Sequence, residues 1–105
     1  MSNIRLQKLT EMLEQQPNDP FLTYAMAMEY LGISNLHKAE ELFKQVLLID
    51  INHLAAHYQL GILLPNLDKE EEAITLLEKG LILAQQKGDL KTKNEFRSAL
   101  DELLY

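Results

Sequence analysis

The sequence predicts an all-α protein of about six helices, arranged as antiparallel helix pairs, and three observations support this. The chain is similar to itself at an offset of 34 residues, a period typical of helical repeats. Apolar residues within each segment recur at helical rather than strand spacing. Residues typical of helix ends, among them Asp19 with Pro20 and Gly88 with Asp89, separate these segments. The 34-residue offset therefore divides much of the chain into two similar units, at about 20–53 and 54–87.

The 34-residue offset superimposes residues of similar size. It places Tyr24 on Tyr58 and Ala39 on Ala73, so that aromatic meets aromatic and small meets small. The other matched pairs follow the same rule: Met26 with Leu60, Ala27 with Gly61, Leu42 with Leu76, Phe43 with Leu77 and Leu47 with Leu81.

Residues typical of helix ends separate the segments in the first half of the chain. Asp19 followed by Pro20 suits an N-cap and first helical position, because the carboxylate accepts a free backbone N–H and proline has none to leave unpaired. Gly32, Ser34 and Asn35 then interrupt the helical pattern. We therefore expect helices at about 3–15, 20–31 and 36–49.

The second half of the chain contains further signals of this kind. Asp68, with Glu71 three residues later, suggests a capping box after Pro65 and Asn66. Gly88 and Asp89 provide a stop and a new N-cap. These signals predict helices at about 54–64, 69–86 and 90–104.

The helices differ in their patterns of apolar residues. Helix 36–49 is amphipathic, as expected of an outer helix. Helices 20–31 and 54–64 are apolar nearly all round, so we expect them to be covered on several sides. In helix 36–49 the inward set is Leu36, Ala39, Leu42, Phe43, Val46 and Leu47, and the outward set is His37, Lys38, Glu41, Lys44 and Gln45.

At these positions the sequence resembles the tetratricopeptide repeat, a 34-residue helix pair with small side chains at its crossing. The motif's Leu, Gly, Tyr, Ala and Phe correspond to Met26, Ala27, Tyr30, Ala39 and Phe43 in the first unit, and to Leu60, Gly61, Leu64, Ala73 and Leu77 in the second. The chain departs from the motif at its early Trp (Thr23 and His57), at its third small residue (Val46) and at its Pro (Ile51 and Gln85). The resemblance covers roughly residues 5–87 and implies an α-solenoid, a right-handed superhelix of helix pairs.

This resemblance implies one domain over residues 1–105. Residues 3–17 correspond to the second helix of a preceding repeat, and 20–53 and 54–87 are full repeats. Glu95 stands where a third repeat would need a small residue. Residues 90–104 are therefore predicted to be a C-terminal capping helix.

The resemblance also implies a binding surface, because the first helix of each repeat lines the concave face of the superhelix. When the family's groove positions are carried over to this sequence, they correspond to Phe21, Tyr24, Met28, Leu31, Tyr58, Gln59, Ile62 and Asn66. Such an apolar, aromatic groove suits an extended or helical segment of another protein. The alternative is that these side chains only pack against the terminal helices. Family members that hold carboxylate-ended chaperone tails use Lys, Arg and Asn on the groove helices, and the matching positions here carry Tyr, Met, Ile and Gly.

Composition excludes several other partners. Ten Lys and Arg against sixteen Asp and Glu give a net charge of −6, which repels phosphate backbones and anionic membrane surfaces. We expect neither nucleic acid nor membrane as a partner. The sequence has no cysteine, and no segment has the continuous apolar stretch of a signal peptide or membrane span. These features favour a cytoplasmic protein.

No catalytic, metal or cofactor site is predicted. His53 and His57 are one helical turn apart, but no third metal ligand is evident. The acidic run Asp68, Glu70, Glu71 and Glu72 lacks the spacing of a calcium loop and suits the first turn of a helix. No phosphate-binding loop or nucleophile motif is present. We therefore predict a protein-interaction module without enzymatic activity, and as the alternative a scaffold that forms a homodimer through its groove or terminal helix.

Overall fold

The computed structural model describes residues 3–105, which form six α-helices and one short 3-10 helix without a β-strand. These residues fall into two compact units, one ending at Ile51 and the other spanning Asn52–Tyr105. The predicted all-α class is confirmed, and each predicted helix is present to within about two residues. Residues 1 and 2 of the predicted domain lie outside the described residues.

The first unit contains α1 (Ile4–Gln15), α2 (Pro20–Gly32) and α3 (Leu36–Ile49), with α2 packed against both of the others. A polar side chain caps the N-terminus of each helix. Asn3 accepts a hydrogen bond from the Leu6 N–H, Asp19 from those of Phe21 and Leu22, and Asn35 from that of Lys38. The helix start predicted at Asp19 and Pro20 is therefore confirmed.

Small residues at the crossing of α2 and α3 let the two helices approach closely. Ala27 and Ala39 are both fully buried, as are Phe43 and Val46 on α3. His37, Glu41 and Gln45 are exposed on the other side of α3, which agrees with its predicted amphipathic pattern, and Leu48 is exposed there as well. One carboxylate departs from that pattern: Glu40 is 7% exposed and pairs with Lys44 one turn later, at 3.0 Å.

The second unit contains α4 (Leu54–Leu63), a 3-10 helix (Leu64–Leu67), α5 (Glu70–Gln86) and α6 (Leu90–Leu104). The end of α5 is as predicted: Gly88 has a φ of 71°, and Asp89 caps α6 by accepting a hydrogen bond from the Thr92 N–H. A left-handed φ of this kind costs glycine little.

The predicted capping box at Asp68 and Glu71 is wrong. Asp68 ends the 3-10 helix in a left-handed conformation, with a φ of 59°, and its N–H donates to the carbonyl of Pro65. The helix begins two residues later, and its N-cap residue Lys69 makes no side-chain capping bond. The tight 3-10 turn after α4 uses Asp68 to reverse the chain, so this side chain no longer caps α5.

The core of the second unit lies where α5 meets α4 and α6. Its buried residues are Leu77 and Ala84 of α5 with Phe96 and Leu100 of α6. Two glycines allow these contacts: a Cβ added to Gly61 would lie 2.5 Å from Leu77, and one added to Gly80 would overlap the Phe96 ring. The last helix therefore packs as an integral part of this unit.

Within the described part of the chain, no helix combines the length and the apolar character needed to cross a bilayer.

Candidate functional site

In the first unit, the four predicted groove residues lie along one face of α2. Phe21, Tyr24, Met28 and Leu31 follow one another at three- or four-residue steps, which places their side chains on the same side of a helix. Phe21 is 73% exposed, and the other three are half-buried. We call this set the α2 strip. It forms an apolar surface with an aromatic ring at the N-terminal end of the helix.

The core supports the α2 strip from behind. The Tyr24 ring lies 5.7 Å from that of Phe43, centroid to centroid, with the planes tilted by 58°. Phe43 is fully buried in α3. Since this contact fixes one side of Tyr24, the ring is held in place while part of its surface stays accessible.

In the second unit, the four predicted groove residues do not form a single strip. Tyr58 and Gln59 are half-buried on α4, and Ile62, one turn later, is 42% exposed. Asn66 is exposed in the 3-10 helix. These residues occupy α4 and its extension, so each unit presents its own part of the predicted set.

Tyr58 and Gln59 line a cavity of about 330 Å³ between α4 and α6, which we call the α4–α6 cavity. Leu54 and Ala55 complete its α4 side, and its α6 side is formed by Asp89, Thr92 and Glu95. The Tyr58 ring meets the ring of Phe96 edge-on, at 5.5 Å between centroids and 85° between planes. Tyr58 therefore packs against the last helix and also faces a cavity.

The carboxylate of Asp89 is held in a fixed position at the α6 side of this cavity. It accepts hydrogen bonds from the Thr92 hydroxyl at 2.7 Å and from the Thr92 N–H at 3.1 Å. These two bonds lower the pKa of Asp89 below its usual 3.8, and the nearby Lys91 and Lys87 act in the same direction. Asp89 is accordingly ionised at neutral pH.

Ile62 lines a second, smaller cavity of about 140 Å³ at the other end of α4. Gly61 and Pro65 form its near side, and Ala99 and Leu103 contribute from α6, with Glu102 as its charged residue. The cavity is mainly apolar, since Glu102 is the single charged residue that lines it.

The two histidines one turn apart have structural roles at the start of α4. The His53 ring accepts a hydrogen bond from the Ala56 N–H through Nδ1, at 3.1 Å, and so caps the helix. His57 is 2% exposed, and its Nδ1 lies 3.0 Å from the His53 carbonyl oxygen. Over residues 3–105, no three His, Asp or Glu side chains are grouped as metal ligands.

Sequence reasoning missed the polar side of the α4–α6 cavity. Asp89 was predicted only as a helix cap, and Glu95 only as a residue too large for a third repeat. A signal was nevertheless available, because Asp89, Thr92 and Glu95 are three residues apart and so share one face of a helix. That Tyr58 lies opposite this face could be seen only from the packing of α4 against α6 in the structure.

Comparison with known proteins supports the repeat assignment. No protein-family model and no curated protein matches the chain. Among solved structures, the crystal structure of a tetratricopeptide repeat domain protein from Salinibacter ruber is 32% identical, with a TM-score of 0.76 over 81% of this chain and 94% of that one. Its solution structure is also 32% identical and matches with the same TM-score over 83% of this chain and 88% of that one.

Two further structures are similar in fold. A solution structure of a Bordetella parapertussis protein is 25% identical, with a TM-score of 0.82 over 98% of this chain and 89% of that one. The crystal structure of MamA is 14% identical, with a TM-score of 0.68 over 94% of this chain and 64% of that one, and so shows the fold alone. Identity above 30% over most of both chains, joined to the repeat motif and helix pairs, establishes that the chain belongs to the tetratricopeptide repeat family.

Proposed function

We propose that the chain is a protein-interaction module in which α2 of the first unit and α4 of the second each offer a binding surface to another protein. The tetratricopeptide fold is that of interaction and scaffold modules and is typically non-catalytic, which supports a protein partner in general. The observation that carries the specific proposal is the α2 strip, where a 73% exposed Phe21 precedes three half-buried side chains on one helix face.

The residue types of the α2 strip suit a protein partner. Aromatic and methionine side chains are enriched at protein interfaces, because they bury a large apolar area and adapt to the partner's shape. Tyr24 is already packed on Phe43, so little conformational entropy is lost when its other side is covered. A partner helix or extended segment laid along α2 would cover Phe21, Met28 and Leu31 together.

Helix α4 supports the same role in the second unit. It contains no charged residue, so a partner segment would meet no unpaired charge on this helix. Tyr58, Gln59 and Ile62 give it an aromatic ring, an amide and an aliphatic side chain. Asn66 extends the polar edge of this surface beyond the helix.

The test is affinity capture from source lysate with the tagged full chain and matched serine variants. Phe21→Ser and Ile62→Ser each remove an exposed apolar side chain from a first helix. Leu48→Ser and Ile82→Ser do the same on the second helices α3 and α5, where these residues are 88% and 54% exposed. Circular dichroism melts of all four variants ensure that only folded proteins are compared.

We expect Phe21→Ser and Ile62→Ser to reduce capture of the same proteins that the parent captures, and Leu48→Ser and Ile82→Ser to leave it unchanged. Equal capture by all four variants would remove the assignment to α2 and α4. Loss of capture only with Leu48→Ser and Ile82→Ser would transfer the binding surface to the second helices.

Self-association is the second candidate function, and the end of α6 favours it. Leu104 is 52% exposed and Tyr105 is 99% exposed, so two adjacent large side chains are available to a second copy. Light scattering over a range of concentrations distinguishes the two functions. A monomer at high concentration supports binding of a different protein, whereas a dimer that Leu104→Ser disrupts supports the scaffold.

A further inference from the structure

We infer that the α4–α6 cavity receives a basic side chain of the partner protein, and specifically an arginine. This inference rests on the proposed function, since it assigns a chemical preference to part of the same α4 surface. It follows from three features of the cavity: an apolar and aromatic wall, two carboxylates opposite it, and a volume that suits a single side chain.

The α4 wall matches the body of an arginine side chain. Leu54 offers an aliphatic surface to the methylene groups, and the half-buried Tyr58 offers the surface of an aromatic ring. A guanidinium group stacks on such rings, because the negative face of the ring attracts the cation. Gln59 adds an amide oxygen that accepts a hydrogen bond from a guanidinium N–H.

The α6 wall provides charge of the opposite sign. Both charged side chains that line the cavity, Asp89 and Glu95, are acidic. A guanidinium group presents five N–H donors in a planar fork, and carboxylates bind it more specifically than they bind an ammonium group. An acidic partner side chain would be repelled by the same pair.

Asp89 is positioned in advance for this contact. The Thr92 hydroxyl and N–H hold its carboxylate at 2.7 and 3.1 Å, so the group loses little freedom on binding. A carboxylate has about four acceptor positions, and two of these remain after the bonds from Thr92.

The nearby lysines reduce this attraction without cancelling it. Lys87 and Lys91 act on Asp89 electrostatically, but they are exposed and neither lines the cavity. The second unit as a whole has six Lys and Arg and nine Asp and Glu, and so a net charge of −3. A basic ligand is therefore attracted to the unit as well as to the cavity.

The size of the cavity agrees with an occupant of this kind. Its volume of about 330 Å³ is at the lower end of the range for small-molecule sites, about 300–1,000 Å³. A single long side chain fits such a space.

The experiment is an NMR titration of the ¹⁵N-labelled full chain with two small probes. The first is Nα-acetyl-arginine methylamide, and the second is its citrulline analogue, which has the same length without the charge. We expect saturable shifts for the amides of Tyr58, Gln59, Thr92 and Glu95 with the arginine probe, and binding at least about twofold weaker with citrulline.

Paired double variants with equal charge changes identify the carboxylates responsible. Asp89→Asn with Glu95→Gln removes both charges of the cavity, while asparagine retains a capping side chain for α6. Asp101→Asn with Glu102→Gln removes two charges from the same helix outside the cavity. The first pair should weaken arginine binding about two- to tenfold and abolish the preference over citrulline, whereas the second pair should leave that preference intact.

Three results would overturn the inference: equal affinity for the two probes, the absence of saturable shifts at the cavity, or an equal effect of both double variants. These results leave the proposed function separately testable. A partner captured through Phe21 but unaffected by Asp89→Asn with Glu95→Gln would retain the interaction module and remove the arginine preference.

Discussion

Gly80 of α5 lies directly against the ring of Phe96 in α6: a Cβ added to this glycine would lie within 2.8 Å of three of the ring carbons. Phe96 is fully buried and packs with Leu77, Ala84 and Leu100. The glycine is thus a requirement of the α5–α6 contact rather than of the backbone conformation, since only Gly88 among the glycines has a positive φ.

The first prediction concerns this contact. Gly80→Ala should destabilise the protein by about 1–3 kcal/mol, because the added methyl group overpacks the core of the second unit. Gly32→Ala is the matched control: Gly32 is exposed at the end of α2 and has no atom within 4 Å of the added carbon. Urea melts of both variants decide. A Gly80→Ala protein as stable as the Gly32→Ala protein would contradict the packing described here.

The second prediction concerns the crossing within each helix pair. Ala39→Leu and Ala73→Leu should each cost about 1–3 kcal/mol, because both alanines are fully buried between helices. Gln45→Leu, at an exposed position of α3, introduces the same side chain without overpacking and should melt close to the parent. Thermal melts provide the comparison, and unchanged midpoints for both alanine variants would show that the assigned repeat register is wrong.

The third prediction concerns the last helix, for which the capping role remains a hypothesis. A chain ending at Gly88 loses Phe96 and Leu100, and so uncovers Leu77 and Ala84 of α5. We expect binding of an apolar fluorescent dye, a lower denaturant midpoint and a less cooperative transition. A chain ending at Leu103 loses only the exposed Leu104 and Tyr105 and is the control. If the shorter chain stays monomeric, binds no dye and keeps its midpoint, residues 90–105 are not a cap.

The fourth prediction follows from the lowered pKa of Asp89. Thr92→Val removes the hydroxyl donor, so the pKa of Asp89 should rise toward its ordinary value of 3.8. The pKa of Asp89 is lower in the folded state than in the unfolded state. The ionised carboxylate therefore stabilises the fold fully at any pH above the pKa of the unfolded state. This stabilisation is lost as the pH falls through the pKa of the folded state. A carbon-detected NMR titration of the carboxyl measures both proteins, and identical midpoints would exclude the Thr92 hydroxyl as the cause.

The sequence predicted much of the fold because its signals were local or periodic. Asp19, Asn35 and Asp89 are helix caps whose side chains bond within three residues, so no tertiary information was needed to find them. The 34-residue period matched Ala39 with Ala73, and the resemblance to the repeat motif implied that both lie at a helix crossing. Both kinds of signal can be read from the sequence without knowing how the helices pack.

The errors and omissions arose where the conformation depends on longer-range packing. Asp68 has the residue type and spacing of an N-cap, but the 3-10 turn after α4 places it in a left-handed conformation. Thr23 and His57 stand at the motif's tryptophan positions and are nearly fully buried, although each is polar. Their polar groups are satisfied near helix N-termini, with the Thr23 hydroxyl donating to the Asp19 carbonyl and His57 close to the His53 carbonyl.

The candidate site could be predicted only in part. The residues of the α2 strip were predicted by carrying the family's groove positions onto this sequence, and their three- and four-residue spacing places them on one face of α2. The α4–α6 cavity could not be predicted, because Tyr58 and Glu95 are brought together by the packing of α6. The proximity of these two residues depends on the contact between Gly80 and Phe96. This contact has no counterpart in the first unit, where Val46 stands at the position that matches Gly80.

The central claim, that α2 and α4 bind the partner protein, is tested most directly by hydrogen exchange of the captured complex. Amide exchange is measured by mass spectrometry on the full chain, alone and with its partner bound. We predict slower exchange in peptides that cover residues 20–32 and 54–67 when the partner is present, and no change in those that cover the exposed ends of α3 and α5. Protection confined to α3 and α5, with α2 and α4 exchanging as in the free chain, would contradict the claim.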